Sequence, residues 1–272
     1  MTARFKYIKT QLNKNTSFGL EDNMNLERII AVRTGKTVYK DGDKVIKVFD
    51  SDYSKADVLN EALNQSRIEE TGLNIPKIHE VSMVDGKWAI VSDYIEGKTL
   101  EQMMKDEPDK YDEYLKMFID IQLDIFSRKA PLLNKLKDKL YRKINETDLA
   151  NEVKYELQTR LESMPKHDKV CHGDFNPSNI IIDKEGKPYI IDWAHATQGN
   201  SSADVARTYL LFWLNGDISG ADKYLNEFSK KSGIAKKYIQ SWLPLVAAEQ
   251  SLNGKPEERE FLLHWINVVD FE

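Results

Sequence analysis

The sequence predicts an α+β protein in which a small antiparallel sheet carrying one helix precedes a mainly helical region. Three observations carry this. Alternating apolar runs joined by tight-turn residues fill the segment from 26 to 95. Apolar residues three and four apart then take over from residue 96. One short strand pair, "NIIID" and "PYIIDW", interrupts the helical part. The chain has 272 residues, 41% apolar and 31% charged, with a net charge of −5. That length and balance suit two modest domains, or one domain with two lobes, around a real core.

Residues 1–25 are polar and weakly patterned, and are read as an N-terminal extension in which Met24 is a possible alternative start. Residues 26–95 form the first unit. "LERIIAV" and "KTVYK" are joined by Arg33-Thr34-Gly35, and "KTVYK" and "KVIKVF" by Asp41-Gly42-Asp43, a tight-turn signal. "KADVLNEALNQSRIEETG" follows as a helix, with Leu59, Ala62 and Leu63 at core spacing and Gly72 as its stop. "KIHEVSMVDGKWAIVSDYI" is a hairpin turning at Asp85-Gly86. Residues 96–272 form the second unit. Tyr111, Tyr114, Leu115, Phe118 and Ile125 mark one face of a long helix, and a second helical stretch covers roughly 133–163. The strand pair turns at Lys184-Glu185-Gly186, and everything after about 203 is helical, with Trp213, Trp242 and Trp265 assigned to the core.

Composition excludes several classes. No block of five or more Lys and Arg appears, so a nucleic-acid footprint is absent. The single cysteine, Cys171, fits a reducing cytoplasm and reads as a small buried hydrophobe. The five histidines lack zinc-cage spacing. No apolar leader or membrane-length run is visible. "TGKT" at 34–37 lacks the earlier glycine of a P-loop, since position 30 is Ile30. "KPEERE" near the C-terminus reads as a solvated helix face. Oligomeric state is not encoded legibly.

The chemistry concentrates in "VCHGDFNPSNIIID", residues 170–183, where polar groups crowd between apolar flanks. Such groups need partners or a charged ligand, because burying them bare costs several kcal/mol. A loop followed by a hairpin brings Asp174, Asn179 and Asp192 to one edge. Asn179 and Asp192 are hard oxygen ligands of the kind Mg²⁺ takes when it also holds phosphates. Asp174 is then free to accept a proton from an attacking hydroxyl. Upstream, Lys47 sits in mid-strand within "VIKVF" and needs an anionic partner, for which Glu61 on the following helix is the candidate.

These residues resemble the aminoglycoside phosphotransferase and choline kinase branch of the protein-kinase-like superfamily. The matching text is "HGDFNPSN", "IIDW", "GKTVYKDGDKVIKVF", "VSDYIEGKTL" and "DVART", in the family's order from about 26 to 212. His-Gly-Asp followed after four residues by Asn arises by chance in roughly one in a thousand chains of this length. The resemblance implies a bilobal protein-kinase-like fold and an ATP- and Mg²⁺-dependent transfer of phosphate to a small-molecule hydroxyl, with GTP left open. It implies Asp174 as base, Asn179 and Asp192 as magnesium ligands, and Lys47 on the α and β phosphates, held by Glu61. His172 and Asp204 would support the loop, backbone groups of Asp93, Tyr94 and Ile95 would meet adenine, and Gly35 would let amides approach the phosphates. His195 and Glu249 would border the acceptor pocket. Phe126 stands where the branch often has a histidine, and the first turn carries one glycine only. A protein Ser/Thr kinase and a nucleotide-binding pseudokinase are the alternatives. Against the first, no Ala-Pro-Glu follows Asp192, and eleven residues separate it from Asp204. Against the second, base, metal ligands and lysine are all present.

Overall fold

The computed structural model of the chain describes Leu26 and residues 28–33, 35–252 and 255–267. The expectation for residues 1–25 therefore lies outside the described residues, apart from their boundary at Leu26. Strands β1 (Arg28–Arg33), β2 (Lys36–Asp41), β3 (Lys44–Phe49), β4 (Ile78–Val84) and β5 (Lys87–Asp93) form one antiparallel sheet in the order β1-β2-β3-β5-β4. Asp85 and Gly86, at φ 50 and 76, supply the two left-handed positions of the β4–β5 hairpin. One sheet face packs Ile46, Val48, Ala89 and Val91 together; the other sets Phe49 and Ile90 against α1 (Lys55–Glu69).

The inward face of α1 differs from the sequence expectation. Val58, Glu61, Ala62, Asn64 and Ile68 are buried, whereas Leu59 and Leu63 are 43% and 48% exposed. Two apolar stripes offset by one residue, about 100° apart on a helix, compete in this segment. The stripe that wins also delivers Glu61 to Lys36 and Lys47 and Asn64 to the backbone of Ala194. Ser54 caps the helix by accepting from the amide of Asp57.

The second lobe begins with β6 (Gly97–Thr99), a strand not legible in its polar sequence, which exists through pairing with β8 (Ile180–Asp183). Then come α2 (Leu100–Asp106), α3 (Tyr111–Ser127), α4 (Leu136–Glu146), α5 (Asn151–Ser163), β7 (Lys169–Cys171), β8, β9 (Pro188–Ile190) and β10 (Thr197–Gly199). Helices α6 (Ser201–Leu214), α7 (Ile218–Ser232), α8 (Lys236–Gln240), α9 (Leu243–Gln250) and α10 (Arg259–Asn267) complete it. The stretch expected as one helix over 133–163 is two, α4 and α5. The break lies at Thr147, whose hydroxyl and amide both return to the carbonyl of Ile144.

Helix α3 runs through the centre. Phe118 stacks on Phe175 at 4.4 Å, and Tyr224 donates to Gln122 Oε1 at 2.6 Å. Phe126 is core, edge-on to Phe228. Trp242 is fully buried, while Trp213 and Trp265 are half-buried in a cluster with Tyr209 and Phe261. Among the described residues, no helix is long and apolar enough to cross a membrane.

The rotated face of α1 gives a direct test. Ile68→Ala is expected to cost about 2–5 kcal/mol and Leu63→Ala at most about 0.5 kcal/mol in urea unfolding. A larger cost at Leu63 than at Ile68 would mean that the helix is turned the other way.

Candidate active site

The two lobes meet through a lysine. Lys47 Nζ donates to Glu61 Oε1 at 2.6 Å and reaches Asp192 Oδ1 at 3.4 Å, tying the sheet to the other lobe. Burial alone would lower the lysine, yet Asp192 and Glu61 outweigh it and hold the ammonium above the usual lysine range. Lys47 in turn pulls Asp192 well below the usual carboxylate range, against the opposing effect of burial. A second lysine shares the same carboxylate: Lys36 Nζ lies 2.9 Å from Glu61 Oε2 and 5.3 Å from the centroid of Phe49.

The polar loop after β7 is internally satisfied. The carbonyl of Asp174 accepts from Asn176 Nδ2 at 3.0 Å and Asn179 Nδ2 at 2.9 Å. Asn179 Nδ2 also meets Asp174 Oδ2 at 3.0 Å. Asp174 Oδ1 has no protein partner among the described residues, and burial pushes this carboxyl up from its ordinary value, against the pull of Arg207. His172 is fully buried. Its Nδ1 accepts from the Asp174 amide at 3.2 Å and its Nε2 donates to the carbonyl of Ile191 at 3.1 Å, which fixes the tautomer. From the first turn of α6, Asp204 accepts from the amides of His172 at 3.1 Å and Gly173 at 2.6 Å. Gly173, at φ 80, admits no side chain: a Cβ there would lie 2.5 Å from the carbonyl oxygen of His195.

Asp192 has left-handed backbone at φ 64, a costly conformation for a residue with a Cβ and one that clusters at functional sites. The donor set suits a hard cation. Asn179 commits its amide nitrogen to Asp174, so its Oδ1 carries no protein hydrogen bond, and Asp192 is kept ionised by Lys47. Among the described residues no group of three or more His, Cys, Asp or Glu could hold a metal alone. An ion here would take its remaining ligands from phosphate and water, as Mg²⁺ does.

Asp93, Tyr94 and Ile95 lie where β5 leaves the sheet. The amides of Asp93 and Tyr94 are taken by the carbonyls of Lys77 and Asp43, and the Asp93 carboxylate meets His79 Nε2 at 2.7 Å. The amide of Ile95 makes no backbone hydrogen bond among the described residues. Gly35 has left-handed backbone at φ 70, which favours glycine, and a Cβ there would lie 2.6 Å from the Tyr53 ring, which would have to shift. Its neighbour Thr34 falls outside the described residues.

His195 and Glu249 face one cavity of about 610 Å³ between α1, α4 and the turn after Asp192. His195 is exposed to it; desolvation, then Lys139 and Arg207, favour the neutral imidazole. Glu249 is buried, with Lys139 Nζ at 2.8 Å and Arg207 Nη1 at 3.3 Å. Burial would raise this carboxyl, but the two cations take it down to about 2.

With this geometry in view, the comparisons decide the family. The sequence profile described as "Phosphotransferase enzyme family" matches residues 32–236. The chain belongs to the phosphotransferase enzyme family. Family membership makes it an enzyme. A comparison with curated proteins finds no match. Among solved structures, aminoglycoside phosphotransferase APH(4)-Ia is similar with a TM-score of 0.65 and 15% identity, covering 96% of each chain. Choline kinase LicA from Streptococcus pneumoniae is similar with a TM-score of 0.52 and 19% identity over 99% of this chain and 93% of its own. A choline/ethanolamine kinase family protein from Mesorhizobium loti gives 0.58 and 16% over 97% and 89%. These likenesses show the bilobal kinase-like fold.

Sequence reasoning missed Lys36, Lys139 and Arg207. Lys36 was within reach. The turn at Gly42-Asp43 pairs Asp41 with Lys44, so Val38 opposes Lys47, and Lys36, two residues before Val38, shares that face. Lys139 and Arg207 carry no comparable signal.

Asp204 is expected to hold the loop. Asp204→Ala leaves two buried amides unpaired and is expected to cost about 2–4 kcal/mol in thermal unfolding. Asp204→Asn, which keeps one acceptor oxygen, is expected to cost less, and no measurable loss in either variant would show that water replaces the carboxylate.

Proposed function

We propose that this phosphotransferase moves the γ-phosphate of ATP, with Mg²⁺, to a hydroxyl of a small molecule. The observation that carries this reading is Lys47 lying between Glu61 and Asp192 across the cleft, 2.6 and 3.4 Å away. A lysine so held is a fixed positive charge for the α and β phosphates, with no reorganisation needed as charge shifts. Glu61 orients it, and Lys36 adds a second cation on the same carboxylate. Asn179 and Asp192 would hold magnesium, which when bound neutralises phosphate charge. The cleft edge at 93–95, with the unpaired amide of Ile95, is the place for adenine.

Asp174 is the base in this reading. Asn179 anchors one of its oxygens and leaves the other to receive the acceptor hydroxyl. The hydroxyl oxygen bonds to the γ-phosphorus, the bond from that phosphorus to the β–γ bridging oxygen breaks, ADP leaves, and the hydroxyl proton passes to Asp174. The acceptor site is the cavity bordered by His195 and Glu249. His195 leans on the polar loop at Gly173, which makes that cavity wall continuous with the base. A peptide acceptor is disfavoured because the chain passes from Asp192 through a single turn at Trp193–His195 into β10 and α6, with no room for an activation segment.

Asp174→Ala tests the assignment. ADP release with a panel of hydroxyl metabolites is expected to fall by roughly 10²–10⁴-fold, while the melting shift given by ATP–Mg²⁺ persists. Turnover close to wild type would remove Asp174 from the mechanism.

A further inference from the structure

Glu61 holds two ammoniums where one would balance its charge. Lys47 Nζ lies 2.6 Å from Oε1 and Lys36 Nζ 2.9 Å from Oε2, so each oxygen of this buried carboxylate has its own cation. The proposed function gives Lys47 to the α and β phosphates and leaves Lys36 without a task of its own. Yet its donors are available. An ammonium has three N–H bonds. Lys47 spends two, on Glu61 and Asp192; among the described residues Lys36 spends one, on Glu61. The rings of Phe49 and Tyr53, 5.3 and 5.6 Å from Lys36 Nζ, attract the charge without using an N–H. The side chain is 14% exposed, so a phosphate oxygen arriving there meets a donor already aimed and largely desolvated.

The sheet sets the order of groups along the cleft. Lys44 pairs with Asp93 at the edge assigned to adenine, Lys47 pairs with Val38 and Ile90, and Phe49 pairs with Lys36. Residues two apart on a strand share a face, so Lys36 points to the side of the sheet that carries Val38 and Lys47. From the adenine edge, Lys47 is three residues along β3, about 10 Å, and the pair of Phe49 with Lys36 lies two residues, roughly 7 Å, further on. A nucleotide with its α and β phosphates at Lys47 therefore extends its γ-phosphate toward Lys36. Lys36 also stands on a boundary. With Glu61 it lines the cavity of about 610 Å³ that His195 and Glu249 border, whereas Lys47 is not part of that lining. Its ammonium lies where a phosphoryl group would pass from nucleotide to acceptor.

We propose, resting on the kinase reading above, that Lys36 is a second phosphate ligand: it binds the γ-phosphate of ATP and stays with it during transfer, while Lys47 stays with the α and β phosphates. Glu61 then orients both lysines, one for the part of the nucleotide that leaves and one for the group that is transferred.

Calorimetric titration with ADP–Mg²⁺ and with AMP-PNP–Mg²⁺, which carries a γ-phosphate, separates the two ends. Lys36→Met, checked for folding by circular dichroism, is expected to weaken AMP-PNP by roughly tenfold or more, the loss of one hydrogen bond between charged groups, and ADP by less than about threefold. Lys36→Arg is expected to recover most of the loss. A role confined to holding Glu61 would act through Lys47 and weaken both nucleotides alike. A second readout needs no variant. An ATP acyl phosphate passes its acyl group from the γ-phosphate oxygen to a nearby lysine nitrogen, which loses a proton and becomes an amide as ATP leaves. Peptide mass spectrometry is expected to find the amide on Lys36, and excess ATP–Mg²⁺ to suppress it. Equal weakening of the two nucleotides in Lys36→Met, no weakening of either, or an amide on Lys47 with none on Lys36 overturns the proposal while the kinase reading stands. Failure of the unmutated protein to bind either nucleotide overturns both.

Discussion

The contact on which the rest depends is the ammonium of Lys47 between two carboxylates from different lobes. One, Glu61, comes from the helix laid on the sheet; the other, Asp192, ends the strand pair of the helical lobe. Glu61 has Lys36 and Lys47 from its own lobe, whereas Asp192 takes its counter-charge across the cleft from Lys47, without which it could not stand ionised and partly buried. The lobes therefore meet where charge balance is completed. Two further contacts keep the same alignment: Asn64 Nδ2 donates to the carbonyl of Ala194 at 3.1 Å, and the amide of Ile190 to that of Asn74 at 3.0 Å. A triphosphate and its metal entering the cleft would exchange one set of opposed charges for another with little change of backbone.

The polar loop shows how a protein keeps such a place ready. Its hydrogen bonds are made within the loop and to the elements packed around it, so the loop's shape is set before anything binds. His172 joins the loop to the carbonyl after β9, Asp204 fastens two successive amides from α6, and Asn179 bridges the Asp174 carboxylate and carbonyl. What remains unbonded is selective: one oxygen on Asp174 and one on Asn179. Preorganisation of this kind reduces the ordering cost that a substrate would otherwise bear.

Much of this was legible in the sequence, for identifiable reasons. The five strands of the sheet alternate and are separated by glycine-bearing turns, so period and punctuation agree. The polar loop announced itself because hydrogen-bonding residues stand between apolar runs. The orientation of α1 was not legible, since Leu59 and Leu63 mimic a core stripe while Glu61 and Asn64 occupy the real one. Strands β6 and β10, three residues each of glycine and polar side chains, owe their form to partners distant in sequence. Arg207 was hidden for a different reason. Helix α6 is buried continuously from Ser201 to Leu210, so no periodic face marks a buried cation as unusual. Pairings such as Arg207 with Glu249 span 42 residues and leave no local trace.

The missing side chain at Gly173 has a consequence for how this enzyme could diversify. The backbone of His195 rests directly on the loop that carries Asp174, so that wall of the cavity and the loop are packed without a gap. Reshaping the wall from the 194–196 side would displace the loop that carries Asp174. Helix α4 borders the cavity through Lys139 and Lys143, lies outside the polar loop and reaches the 194–196 turn through the Lys139 ammonium, 3.4 Å from the His195 carbonyl. Under the proposed function, new acceptor preferences should accumulate along α4, leaving the opposite wall as the fixed anvil against which they are shaped.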